Sequence, residues 1–220
     1  MPTDSFPWET ALGPLLLAVL AVTTLVISDL RNWRPGRYLC KPLAATAFLW
    51  LALALDATGS TYGNWLLAGL LLCMLGDILL MFDAQHAFLG GLLAFLSGHL
   101  LYAIAFLHLP TSWVGLALSV LPVVLLAVLT LRWLRPHLDG PMRQAVPAYI
   151  LVICGMLLCA GTTAGNAAAL PLLSGAWGFA FSDLAVARRQ FIRADWINGL
   201  WGTPLYFGSQ LLLAATVFFV

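Results

Sequence analysis

Residues Trp65–Phe82 read WLLAGLLLCMLGDILLMF, an almost unbroken apolar run with a single acid, Asp77, set behind Gly76. A carboxylate at the centre of a lipid-facing helix costs about 2.5–3.5 kcal/mol on insertion scales, so a chain keeps one there only where protein or trapped water receives it. A second run, Leu170–Ala187, carries Asp183 at a matching place. The two acids are expected to face each other inside a helical bundle and form its working centre. The plainer alternative is that each caps a helix end at the headgroup boundary.

The rest of the chain makes that bundle a membrane one. It is 62% hydrophobic and 9% charged, with a mean hydropathy of +0.96, whereas a soluble domain is about a quarter charged. Runs of about 20 apolar residues suit helices crossing a hydrocarbon core about 30 Å thick, and no alternating ten-residue pattern points to a barrel. The expected fold is all-α and polytopic, a single transmembrane helical domain over 1–220. The net charge of +1 says little about partners; no nucleic-acid partner is expected, and nothing in the sequence sets the oligomeric state.

Eight spans follow: Ala11–Leu30, Pro42–Leu55, Trp65–Phe82, Phe88–Leu109, Trp113–Leu134, Ala145–Ala164, Leu170–Ala187 and Ile197–Val220. Short cytoplasmic loops retain Lys and Arg. All ten basic residues fall beside three loops, as Arg31, Arg34, Arg37 and Lys41, then Arg132, Arg135 and Arg143, then Arg188, Arg189 and Arg193. Eight spans put these loops on one side, whereas seven would scatter them. Both termini are therefore expected outside the cytoplasm, in a bacterial inner membrane. Residues 1–10 hold Asp4 and Glu9 but no Lys or Arg, so they lack the basic region of a cleaved signal peptide, and the first helix is expected to be retained.

Cys40, Cys73, Cys154 and Cys159 make no Cys-x-x-Cys pair and are read as packing residues. Asp77 and Asp183 are 106 positions apart, as are Gly59 and Gly165, with Pro42 and Pro147 nearly so and each opening the second span of its half. This spacing fits a faint 4+4 parallel repeat, against which stands the poor side-chain identity of the two halves elsewhere.

Further polar residues fall inside the spans. His99 and Tyr102, three apart, share a helical face, as do Tyr206 and Gln210, four apart. Tyr149 stands near the start of span six, and Gly76, Gly90, Gly91, Gly98, Gly175 and Gly178 let helices approach closely. Lys41 is the one lysine and sits at a loop-to-helix junction, so the mid-membrane Schiff-base lysine of a retinal protein is missing. It is read as a partner for lipid phosphate or for an acid.

Together, Lys41-Pro42, Gly76-Asp77-Ile78-Leu79-Leu80, Phe88-x-x-Gly91, Phe95-x-x-Gly98-His99-x-x-Tyr102, Pro147-x-Tyr149, Phe181-Ser182-Asp183-Leu184-Ala185 and Tyr206-x-x-x-Gln210 resemble the YhhN family of membrane proteins, whose eukaryotic members are known as lysoplasmalogenases. The resemblance runs from the second span to the last. It implies hydrolysis of the vinyl ether bond of a lysoplasmalogen, a lysophospholipid, to a fatty aldehyde and glycerophosphoethanolamine or glycerophosphocholine. Vinyl ethers yield to protonation of the β-carbon, which forms an oxocarbenium ion that water captures. Two carboxylates in unlike environments supply an acid and an anion together.

The expected catalytic residues are therefore Asp77, Asp183 and His99, with Lys41, Tyr102, Tyr149, Ser182, Tyr206 and Gln210 binding substrate. Which acid carries the proton is open. Asp77, Asp183 and His99 also make a conceivable zinc ligand set. However, there is no His-x-x-x-His pair and a vinyl ether needs no metal-activated nucleophile, so no metal or other cofactor is expected. Two alternatives stand beside this reading, a proton-coupled small-molecule transporter with alternating buried acids and a hydrolase of a different lysolipid.

Overall fold

The computed structural model describes residues 6–220, so Asp4 lies outside it. Eight long helices make the fold, and no strand occurs among the described residues. They are α1 (Trp8–Leu30), α2 (Arg34–Ala54), α3 (Thr61–Leu79), α4 (Gln85–Phe106), α5 (Trp113–Leu134), α6 (Met142–Gly161), α7 (Ala169–Phe191) and α8 (Trp196–Ala215). All but α2 are long and apolar enough to cross a membrane. The exception begins with Arg34, Arg37 and Lys41, so its first two turns are polar although its 21 residues match its neighbours in length.

Local chemistry explains the breaks. Ser60 and Ser112 precede α3 and α5, and each hydroxyl accepts from the backbone N–H three residues on, at 3.0 and 3.1 Å, satisfying an otherwise unpaired helix-start donor. Asn32 (φ 51°) and Asp56 (φ 62°) turn the chain at the ends of α1 and α2, where their short polar side chains tolerate the left-handed region. Gly165, at φ 93° between α6 and α7, occupies a conformation that a β-carbon disfavours.

Consecutive helices pair as antiparallel hairpins, α1 with α2, α3 with α4, α5 with α6 and α7 with α8. Cross-contacts of α2 with α3 and α8, of α8 with α1, and of α6 with α4 and α7 close the hairpins into a bundle, while α5 rests chiefly on α6 at its edge. With no hydrophobic drive between helices in lipid, close packing has to hold them. The α3–α4 seam shows how. A Cβ on Gly69 would fall 2.5 Å from the Tyr102 ring, and one on Gly76 2.7 Å from the Phe95 ring. Glycines seven residues apart on α3 thus seat two aromatic rings from α4. The buried centre holds Phe48, Tyr62, Tyr102, Phe106, Phe179 and Phe207.

Several expected boundaries shift. Lys41 lies within α2 and not at a loop-to-helix junction, because the helix continues back through Pro35 to Arg34. Pro42 and Pro147 stand inside α2 and α6 instead of opening them. Asp77 is in the last turn of α3, whereas α7 runs two further turns past Asp183 to Phe191. Gly59 sits in a short 3-10 turn without the positive φ of Gly165, so the two glycines are not conformational equivalents. The four cysteines are free, and three of them are buried.

Candidate active site

Near the end of the bundle where α1 meets α2 and α3 meets α4, a cavity of about 620 Å³ penetrates between the helices and is lined by both acids. Asp77 and Asp183 thus share one space. Asp77 is almost sealed, with 3% of its side chain exposed. Lys41 Nζ lies 3.2 Å from its Oδ1, and the Tyr206 hydroxyl donates to its Oδ2 at 2.7 Å. A cation and a neutral donor therefore hold this carboxylate.

Asp183 is 15% exposed, and among the described residues no lysine or arginine lies within ion-pairing distance of it. The Tyr149 hydroxyl donates to its Oδ2 at 3.0 Å, and His99 Nε2 lies 3.5 Å from the same oxygen. His99 Nδ1 meets the Phe95 carbonyl at 2.7 Å. A carbonyl can only accept, so Nδ1 carries a proton, and in the neutral ring Nε2 presents a lone pair. That nitrogen is buried and makes no hydrogen bond in the described structure. Oδ2 already accepts from Tyr149, so a water between it and Nε2 would serve both acceptors.

The topology of these contacts is reciprocal. Each acid stands on the third helix of a four-helix half, takes one partner from the second helix of its own half (Lys41, Tyr149), and takes another from the fourth helix of the other half (Tyr206, His99).

The remaining expected residues divide into two groups. Lys41, Tyr149, Ser182 and Tyr206 line the cavity with the acids, although the Ser182 hydroxyl donates back to the Phe179 carbonyl at 2.7 Å. His99, Tyr102 and Gln210 do not line it. His99 stands behind Asp183, its ring stacked on Phe179 at 4.1 Å between centroids. Tyr102 donates to Gln210 Oε1 at 2.6 Å, a tie between α4 and α8 in a fully buried layer. No group of three His, Cys, Asp or Glu side chains among the described residues is disposed to hold a metal ion, so Asp77, Asp183 and His99 do not converge as a three-ligand set.

Sequence reasoning passed over the cavity rim, where Asp29, Arg34, Arg37 and Arg189 gather. Their clustering near span ends was visible, but such charges ordinarily mark only the membrane boundary.

Lysoplasmalogenase TMEM86A of Bos taurus is 28% identical over 217 residues, covering 92% of this chain and 88% of the relative. Lysoplasmalogenase TMEM86B of Homo sapiens is 34% identical over 210 residues, covering 92% and 84% respectively. No solved structure matches. The model of the YhhN family matches residues 36–217, which include both acids and every residue found beside them, and the chain belongs to that family.

Proposed function

We propose that this protein is an intramembrane lysoplasmalogenase whose two aspartates cleave the vinyl ether by acid and anion acting together. One observation carries the reading: two carboxylates line one cavity in unlike settings, one beside a lysine and one among neutral donors. The relatives named as lysoplasmalogenases support the substrate class.

The lysine assigns the charges. Lys41 favours the ionised form of Asp77, whereas Asp183, with tyrosine and imidazole partners, is the site where a proton is retained. Tyr149 occupies Oδ2 of Asp183 and leaves Oδ1 for the proton. Asp183 delivers it to the β-carbon of the vinyl ether, forming a C–H bond from the π electrons and leaving an oxocarbenium ion. The carboxylate of Asp77 stabilises that cation. Water adds to the cationic carbon and returns a proton to Asp183. The hemiacetal then collapses: its hydroxyl proton is lost as the carbon–oxygen bond to glycerol breaks, and the glycerol oxygen takes up a proton, giving aldehyde and glycerophospho-alcohol. His99 positions Asp183 from behind.

The basic ends of the hairpins supply the orientation. Under the positive-inside rule the cavity mouth faces the cytoplasm and both termini lie outside it.

Purified protein in detergent is expected to release fatty aldehyde from a lysoplasmalogen. Release of fatty acid from an ester lysolipid instead would replace this reaction with another hydrolysis. Substrate flux into proteoliposomes without product would make the protein a transporter.

A further inference from the structure

The cavity gathers cations at its mouth and, further in, sets apolar side chains alongside the two acids. Arg34, Arg37, Lys41 and Arg189 all line it. Three of these cations are matched: Lys41 with Asp77 at 3.2 Å, Arg37 with Asp29 at 3.5 Å, and Arg34 with Asp83 at 3.7 Å. Among the described residues no carboxylate lies within ion-pairing distance of Arg189. Asp29 and Asp83 line the same mouth, each paired with one arginine, which leaves Arg189 as a positive surplus. Away from the mouth, Leu92 of α4, Leu126 of α5 and Ile150 of α6 line an apolar arm.

The geometry points to a headgroup subsite for a zwitterionic lysophospholipid, with the phosphate held by Arg189 and Arg37, the ammonium by Asp29, and the hydrocarbon chain in the arm between α4, α5 and α6. The ligand class rests on the proposed hydrolysis, whereas the charge arrangement stands independently. Guanidinium groups match phosphate oxygens with paired donors. The 3.5 Å contact of Arg37 with Asp29 is loose enough to open, and a phosphate arriving on Arg37 releases Asp29 for the ammonium. Reach also fits. Arg37 precedes Lys41 by one turn of α2, about 6 Å along the axis, and Lys41 touches Asp77. In a lysoplasmalogen the phosphorus is five bonds from the vinyl ether oxygen, a similar distance, so a phosphate at Arg37 sets the reactive bond beside the acids.

The test measures binding to the full chain in phospholipid-free detergent. Two non-cleavable ligands are compared, a 1-O-alkyl lysophosphatidylethanolamine and the phosphate-free 1-O-alkylglycerol. The phosphate-bearing ligand is expected to bind at least about tenfold more tightly. Arg189→Gln and Arg37→Gln should each remove most of that preference, with alkylglycerol affinity reporting that the variants are folded. Arg143→Gln, whose partner Asp139 lies outside the cavity, should keep it. Asp29→Asn should erase discrimination between the ethanolamine ligand and the corresponding alkyl lysophosphatidic acid.

Equal binding of the two ligands by the unaltered chain overturns the subsite, as does an equal loss for both in the arginine variants. Competition by diacyl phosphatidylethanolamine as strong as that by the lysolipid also overturns it, since the arginines would then hold bilayer headgroups in general. A preserved preference without aldehyde release from lysoplasmalogen supports the subsite while refuting the hydrolysis.

Discussion

Asp77 and Asp183 are the same residue on the third helices of two four-helix halves, and both open into one cavity, yet their surroundings differ in a single charge. Asp77 has Lys41 at 3.2 Å and Tyr206 at 2.7 Å. Asp183 has Tyr149 at 3.0 Å and the unpaired Nε2 of His99 at 3.5 Å. Lysine stands on one side and tyrosine on the other, and in the proposed reaction that difference separates an anion from a proton donor. Two identical settings would favour a shared proton, as in like-charged dyads; under the proposed reaction the asymmetry is what tells the two roles apart.

The largest expected effects come from breaking either member. Asp77→Asn and Asp183→Asn should each lower the rate of aldehyde release by about 10²–10⁴, the usual worth of a positioned acid or base. Full activity in both variants would sink the dyad. Next comes the charge itself. Lys41→Met strands a nearly sealed carboxylate, a loss of 3–5 kcal/mol when complete but nearer about 2 kcal/mol here, because Lys41 keeps 22% exposure and solvent screens the pair. Thermal unfolding should show the drop, and the double variant Lys41→Met/Asp77→Asn should recover most of it. No recovery would mean that Lys41 stabilises the bundle by packing instead.

The neutral donors carry smaller effects. Tyr149→Phe and Tyr206→Phe each remove one hydrogen bond to an aspartic side chain, about 1–1.5 kcal/mol or roughly tenfold in kcat. If the roles differ as proposed, the Tyr149 change shifts the alkaline limb of the pH profile, where the general acid loses its proton, and the Tyr206 change shifts the acidic limb, where the anion gains one. Identical profiles for the two variants would argue for equivalent acids.

The smallest effect belongs to a reference acid outside the cavity. Arg188 grips both oxygens of Asp195, at 2.8 and 3.0 Å, across the α7–α8 turn. These hydrogen bonds hold the Asp195 carboxyl below its usual range. Its folded-state value is depressed, so its contribution to stability is complete above the ordinary carboxylate range and is lost as pH falls through the lowered value. Asp195→Asn should remove that acid dependence from the melting curve and leave aldehyde release intact.

Much of this was legible along the chain. Apolar runs separated by Gly, Pro and charged loops carry the helix count, because lipid demands internally hydrogen-bonded spans. An acid in such a run announces itself by its cost, which is why Asp77 and Asp183 stood out. The start of α2 was not legible, since Arg34, Arg37 and Lys41 look like a loop when read against hydropathy alone, and packing on α1 and α3 carries the helix through them. The reciprocal contacts are what a 4+4 duplication would produce, yet the proline and glycine spacings that hinted at one fall at positions without equivalent roles. Nor could spacing separate Tyr149 and Tyr206, which reach the cavity, from Tyr102 and Gln210, which hydrogen-bond to each other behind it.

By itself the sequence determined that this is a helical membrane protein of the YhhN family with two intramembrane acids, because hydropathy, charge placement and local motifs are properties of neighbouring residues. The tertiary structure alone decided that Lys41 belongs to Asp77 and not to Asp183, that His99 stands behind the cavity and that the rim gathers an unmatched arginine. These are contacts between helices distant in sequence, and a buried charge takes its character from whichever partner the packing brings within a few ångströms.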